Sequence, residues 1–304
     1  MKILITGADS FIGSYLIPEL LKHSHELLLV GGNKTDLLNR FSQCRILSHN
    51  NLDQEHLNEV IRSFDVEIVI HLAAHSTPND SLDDFNKLIN ANIMFLGKIL
   101  EALKSTNLKA FINTGSSTEY LNNNNVPEPA YLYAATKTAA RYILKYYAAV
   151  YIFKYCTVCP YTVYGGLFTR KKIMDILYDS LDAKEPTNTT PGEQVLDFIH
   201  VDDLVRLYVN IVDNYEKVPN ETVFHAGTGE GFSLHNTVNL MEQYTNRKAN
   251  INWGGIEYRK RDVMFAVADT RLQKEIFGWE PLIPFKKGVL KYIEAREQYN
   301  KNID

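Results

Sequence analysis

The chain has 304 residues, 45% of them hydrophobic, and a formal net charge of −4. That length can bury the core of one large domain or two modest ones, and the mild acidity argues against an electrostatic surface for nucleic acid or membrane. No apolar run reaches membrane-spanning length and Lys2 leads directly into a predicted strand, so a cytoplasmic location is expected.

Short apolar runs predict strands at Lys2–Thr6, 26–30, 45–47, 66–71, 109–114 and Lys154–Pro160. Helical spacing predicts helices between them at 10–22, 54–63, 82–105 and 131–150, with Asp53 or Asn51 able to cap the second. Such alternation is the pattern of an α/β, doubly wound parallel sheet with crossover helices. The last of these strands holds Cys156 and Cys159 in CTVCPY. With three cysteines in all and no second pair or nearby histidine, the two read as core cysteines, and neither a disulfide framework nor a metal site is expected.

After about Pro160 the segments shorten and turn punctuation appears in TNTTPGEQ, AGTGEG and NWGG, although 201–214 and 234–245 still look helical. The expected organisation is a Rossmann-type doubly wound domain over 1–160 and a smaller α/β, mainly substrate-capping portion over 161–304, partly interleaved with the sheet. The asparagine run at 122–125 reads as a mobile surface loop.

Chemistry enters first at TGADSFIG, between the first strand and first helix. Gly7 ends the strand, Ser10 stands midway, and Phe11, Ile12 and Gly13 follow on the helix. A tight turn lets backbone approach a pyrophosphate, and the helix N-terminus offers unpaired N–H groups to it. This strand-to-helix context raises the glycine pattern from a weak signal to a dinucleotide site. Further along, Tyr133 and Lys137 stand four apart on a predicted helix and share a face. An ammonium there is expected to lower the tyrosine into the working range for proton transfer; Tyr131 is a rival two residues away.

Together with HLAA at 71–74, TGSSTEY at 114–120, YAATK, PYTVYGG and DFIHVDD at 197–203, these motifs fall in an order that resembles the extended short-chain dehydrogenase/reductases, the nucleotide-sugar epimerases, dehydratases and reductases. The resemblance spans essentially the whole chain. It implies a nicotinamide dinucleotide, a nucleotide-diphosphate sugar as substrate, and a homodimer built on helices 82–105 and 131–150. It implies cofactor contacts from Leu72, Ala73, Ala74 and Pro160, with Asn51 and Leu52 beside the adenine. Tyr133 would exchange a proton with a sugar oxygen, Lys137 would tune it and hold the nicotinamide ribose, and Ser116 would bond the reacting oxygen, with Ser117 and Thr118 near rivals. Arg259, in Arg259-x-x-Asp262, matches an arginine that binds the substrate diphosphate; Arg261 reads as surface. Thr162 stands where relatives have Asn, Leu196 where they often have Arg, and His75 follows a strand end where substrates lie. His200 reads as structural.

Two departures bear on the reaction. NAD-using relatives carry an acid where this chain has Gly31, and Gly31-Gly32-Asn33-Lys34 reads as room for a 2′-phosphate, with Lys34 as charge partner and Asn33 as donor, so NADP(H) is expected, with NAD(H) the alternative. The acid pair that eliminates water in 4,6-dehydratases is replaced by Ser117 and Thr118. The resemblance therefore points to NADPH-dependent reduction of the 4-keto group of a CDP- or dTDP-linked deoxyhexose, as in surface-polysaccharide biosynthesis. An NAD-retaining 4-epimerase and a non-catalytic dinucleotide-binding protein are the alternatives.

Overall fold

The structure, a computed structural model, describes residues 1–50, 52–124, 126–166 and 171–301. Its first half alternates β1 (Lys2–Thr6), α1 (Phe11–Lys22), β2 (Glu26–Gly31), α2 (Lys34–Arg40), β3 (Arg45–Ser48), α3 (Gln54–Phe64), β4 (Ile68–His71), α4 (Leu82–Ile89), α5 (Phe95–Leu103), β5 (Ala110–Thr114), α6 (Leu132–Tyr151) and β6 (Lys154–Pro160). The remainder comprises β7 (Thr162–Tyr164), α7 (Ile173–Asp179), β8 (Thr187–Thr189), β9 (Val195–His200), α8 (Val201–Asp213), β10 (Thr222–Ala226), β11 (Gly231–Ser233), α9 (Leu234–Thr245), β12 (Ile251–Trp253), β13 (Phe265–Ala266), α10 (Arg271–Phe277) and α11 (Phe285–Lys301).

Two compact units result. The first contains Met1–Glu119, Pro129–Cys159 and Val205–Phe224; the second contains Tyr120–Glu128, Pro160–Leu204 and His225–Asp304, whose last three residues lie outside the description. A seven-stranded sheet runs in the order β3-β2-β1-β4-β5-β6-β10. Its first six strands pair in parallel, and β1 and β4 are neighbours because the chain reverses direction across the sheet between β3 and β4. Loops leaving the carboxyl ends of β1 and β4 diverge there, which opens a crevice. Aliphatic side chains on the β-strands meet those of α3, α5 and α6 in a dry core that includes Leu28, Val69, Leu57, Ile99, Phe111 and Leu144. Continuous apolar strand sequences are what a sheet covered by helices requires.

The second unit holds β11, β9 and β13 in one sheet with β7 paired to β9, and a separate β8–β12 pair. Its core gathers Tyr164, Leu177, Phe198, Val238, Phe285 and Tyr292. Asp203, 2% exposed, accepts the N–H groups of Leu282 and Ile283 at 2.9 Å each and so fixes the approach to α11.

Some expectations need revision. The helix expected over 82–105 is interrupted by a π-helical stretch, Asn90–Met94, between α4 and α5. Apolar spacing alone cannot reveal that wider turn. Helix α2 is too short for periodicity to announce, and β4 starts two residues later than expected. Within the run expected to be a mobile loop, the Asn123 side chain accepts the Val267 N–H at 3.1 Å and the Asn122 amide donates to Glu128 at 2.5 Å. Among the described residues no helix is long and apolar enough to cross a membrane.

Candidate active site

At the carboxyl ends of β1 and β4, in the first unit, lies a groove of about 750 Å³ lined in part by Gly7, Asp9, Ser10, His49 and Leu72 to His75. Its floor is tight. A Cβ on Gly7, whose φ is +69°, would stand 2.7 Å from the Ala73 nitrogen, and one on Gly13 would stand 2.6 Å from the Ala8 carbonyl oxygen. Only glycine permits this approach of turn, helix and β4 loop. Ser10, in place of the usual middle glycine, caps α1: its Oγ accepts the Gly13 N–H at 3.1 Å. A groove of this volume with a bare backbone floor fits a dinucleotide pyrophosphate.

Not every predicted contact reaches the groove wall. Phe11 is buried and Ile12 half-buried on α1, Pro160 ends β6 in the second unit, and Leu52 belongs to the first unit's apolar core rather than flanking a ligand. Asn51 lies outside the described residues. His49, just past β3, lines the groove where Leu52 was expected, together with Lys87, Asn90, Met94, Phe95 and Lys98 around the π-helical stretch. Asn92, buried in that stretch, accepts the His75 N–H at 2.8 Å and donates to the His75 carbonyl at 3.0 Å and to Thr136 Oγ1 at 2.9 Å. It thereby fixes the loop that carries Ala73, Ala74 and His75.

The end of β2 differs from expectation. Gly31, Gly32 and Asn33 do not enclose empty space: the Asp9 carboxylate reaches across from the glycine turn and accepts the N–H groups of Gly32 and Asn33, both at 2.8 Å. A Cβ on Gly31 would stand 2.8 Å from Asp9 Oδ1. Glycine at this position makes room for a carboxylate supplied from elsewhere. Asn33 spends its side-chain oxygen capping α2, on the Asp36 N–H at 3.1 Å, and Lys34 is exposed as the first residue of that helix. The ground for expecting a 2′-phosphate, the absence of a repelling group, is therefore removed.

A second cluster gathers at the carboxyl end of β5. Ser116 hydrogen-bonds the Tyr133 hydroxyl, and its own Oγ also meets Thr118 Oγ1 at 2.7 Å. Tyr133 lies on the first turn of α6, and Lys137, one turn later, is 2% exposed. Burial pushes the Tyr133 hydroxyl up, the charge environment of Tyr131, Glu119 and Cys159 adds to this, and the bond from Ser116 opposes it. Burial also pushes Lys137 down to about 8, against the raising influence of Glu119 and Cys159. The expected lowering of Tyr133 by its lysine neighbour is thus outweighed by desolvation. The sequence reading did not single out Glu119, although it sits inside TGSSTEY. Wholly buried, it accepts the Ser116 N–H at 2.9 Å, the Thr138 hydroxyl at 3.0 Å and the Arg141 guanidinium at 2.5 Å. That carboxylate anchors the backbone of Ser116 from behind. Nearby, His71 is buried with Nδ1 2.7 Å from Thr6 Oγ1, and burial followed by the Lys137 charge holds it down to about 3, so its ring is neutral.

Cys156 and Cys159 are buried in β6 with thiols pushed up by burial, the first to about 12, as core residues should be. In the second unit Thr162 opens β7, paired with Phe198, and the buried His200 sits beneath Gly165, where a Cβ would approach its ring to 2.3 Å. Arg259 is half-exposed with its guanidinium 3.9 Å from Asp262. A concavity of about 460 Å³ in that unit is lined by Lys260, Arg261 and Asp262 rather than by Arg259, and Arg261 donates to Glu128 at 2.8 Å.

The chain is similar to several known proteins. CDP-abequose synthase from Salmonella typhimurium is 29% identical over 299 residues, covering 94% of this chain and 95% of that protein. UDP-glucose 4-epimerase from Corynebacterium glutamicum is 22% identical over 303 residues, covering 92% and 91%. Among solved structures, UDP-glucose 4-epimerase from Thermotoga maritima superposes with a TM-score of 0.85 at 24% identity and full coverage of both chains. UDP-glucuronic acid 4-epimerase from Bacillus cereus, solved with NAD, gives 0.87 at 23% identity over 98% of this chain and 100% of its own. These last likenesses establish the fold. Residues 3–227, which carry the glycine turn, the β2 end and the Ser116–Tyr133–Lys137 cluster, match the NAD dependent epimerase/dehydratase family, and the chain belongs to that family.

Proposed function

We propose that the protein reduces the 4-keto group of a nucleotide-linked deoxyhexose, with CDP- or dTDP-linked sugars as the substrate class. The observation that carries this reading is the Tyr133 hydroxyl, bonded to Ser116 and one helical turn from the buried Lys137. A ketone being reduced needs a proton donor at its oxygen, whereas oxidation of a sugar alcohol needs a base there. The buried carboxylate nearest this cluster in sequence, Glu119, is committed to Ser116, Thr138 and Arg141, which leaves Ser117 and Thr118 where elimination of water would need an acid and base. Likeness to CDP-abequose synthases along nearly the whole chain supports the same choice.

A reduced nicotinamide dinucleotide, held over the glycine turn of Gly7, Ser10 and Gly13, would supply the hydride. The chain's own residues act on the oxygen: Ser116 donates a hydrogen bond to it, Tyr133 transfers its proton to it, and the Lys137 ammonium stabilises the tyrosinate left behind. Arg259, with Lys260 beside it, offers charge to the substrate diphosphate, and Thr162 and His75 are the remaining proposed sugar contacts.

A 4-epimerase is the second reading, favoured by full-length fold likeness to 4-epimerases solved with NAD. Incubating the protein with reduced cofactor and a panel of nucleotide-linked 4-keto-6-deoxyhexoses, and separately with oxidised cofactor and nucleotide-linked 4-hydroxy sugars, separates the two. Reduction consumes one cofactor per sugar. Interconversion of 4-hydroxy epimers with no net change in cofactor would favour the epimerase.

A further inference from the structure

The β2 end of a dinucleotide-binding sheet is where an acidic residue meets the adenosine ribose. Here β2 ends in Gly31 and is followed by Gly32, yet a carboxylate is present. Asp9 belongs to the turn after β1, and its Oδ2 accepts the N–H groups of Gly32 and Asn33 at 2.8 Å each. Those two bonds fix the carboxylate against the strand end. Among the described residues Oδ1 has no hydrogen-bond partner, and Asp9 lines the groove beside Ser10 and His49.

The fixed carboxylate and the paired glycines explain each other. A side chain on Gly31 would strike Asp9 Oδ1 and Leu37 Cδ1, both at 2.8 Å, and one on Gly32 would come within 3.3 Å of Asp9 Oδ2 and 3.1 Å of the His49 ring. With a side chain at Gly31 the carboxylate would have to shift from this place. An unphosphorylated ribose offers hydroxyl donors to an anchored carboxylate. A 2′-phosphate offers only acceptors and about −1.5 to −2 of charge to the same group, and Asp9 gives up its hydrogen bonds to two backbone N–H groups if it withdraws.

We infer that Asp9 is the specificity-determining residue of the cofactor site, taking over from the glycine turn the ribose-binding role that β2 has lost, and that the protein selects NAD(H) over NADP(H). The inference rests on the dinucleotide groove alone and holds for a ketoreductase or an epimerase.

Titration of NADH and NADPH without sugar, followed by nucleotide fluorescence, tests it independently of turnover. Wild type binds NADH at least about tenfold more tightly than NADPH, since unlike pairs of donor and carboxylate are being compared with like charges. Asp9→Asn keeps an acceptor for the Gly32 and Asn33 N–H groups while removing the charge, and it brings the two affinities together. Thermal melting of the variant checks that the turn survives. If it does not, the double variant Asp9→Gly/Gly31→Asp moves the carboxylate to β2 and retains the NADH preference. A wild type that prefers NADPH, with the preference lost in Lys34→Ala, would overturn the inference, as would an unchanged ratio in a folded Asp9→Asn.

Discussion

Lys137 carries its charge in a place that disfavours it. Buried to 2% exposure, its ammonium is pushed down from 10.5 to about 8, a shift that corresponds to a cost on the order of 3 kcal/mol for the charged form in the folded state. Between those two values the unfolded chain binds a proton that the folded chain has released, so wild-type stability rises with pH through that window. Lys137→Met is therefore expected to melt above wild type at neutral pH, with the gain shrinking from about pH 8 to 10.5, as thermal unfolding across that range would record. Equal melting temperatures throughout would mean the charge is not buried in solution. Retention of so costly a group is understandable if its charge acts on the Tyr133 oxygen. The Ser116, Tyr133 and Lys137 positions could be read from spacing and resemblance, but Glu119 could not, because a glutamate within a polar run gives no sign of burial. Only the pairing with Arg141 across sequence makes it visible.

Helix α1 connects the glycine turn to the sheet, and its first turn depends on Ser10. Ser10→Ala removes the acceptor for the Gly13 N–H and should cost about 1 kcal/mol in chemical denaturation, whereas Ser10→Gly should cost only a few tenths. Equal losses from both would show that the hydroxyl does not cap the helix. Elements with strong periodicity or long apolar runs, such as β1, α3 and α6, were legible in the sequence because their residues face one core. Those that were not legible serve local contacts instead. Helix α2 has seven residues and buries only Leu37, and the π-helical stretch holds Asn92, whose three bonds are to the His75 backbone and Thr136. The Asp9 carboxylate at the β2 end was not legible for a related reason: absence of an acid in one strand says nothing about an acid delivered from a turn 22 residues earlier, Asp9 to Gly31.

For the molecule as a whole, α4 and α6 expose Leu82, Phe85, Tyr142, Tyr146 and Val150, more apolar surface than two crossover helices need. A second copy of this chain is the proposed cover. Sedimentation should give twice the chain mass, falling to one in Tyr146→Glu, and a wild type that sediments as one chain would remove the proposal. Transfer of isotope from the cofactor distinguishes the proposed reaction. Reduced cofactor deuterated on the hydride-donating carbon, incubated with a nucleotide-linked 4-keto-6-deoxyhexose, should leave one deuterium at sugar C4 in a single configuration, with one oxidised cofactor released for each product. No deuterium at C4 of the alcohol formed, or deuterium spread over both C4 epimers with the oxidised cofactor retained on the protein, would contradict the proposed assignment of this chain as a 4-ketoreductase.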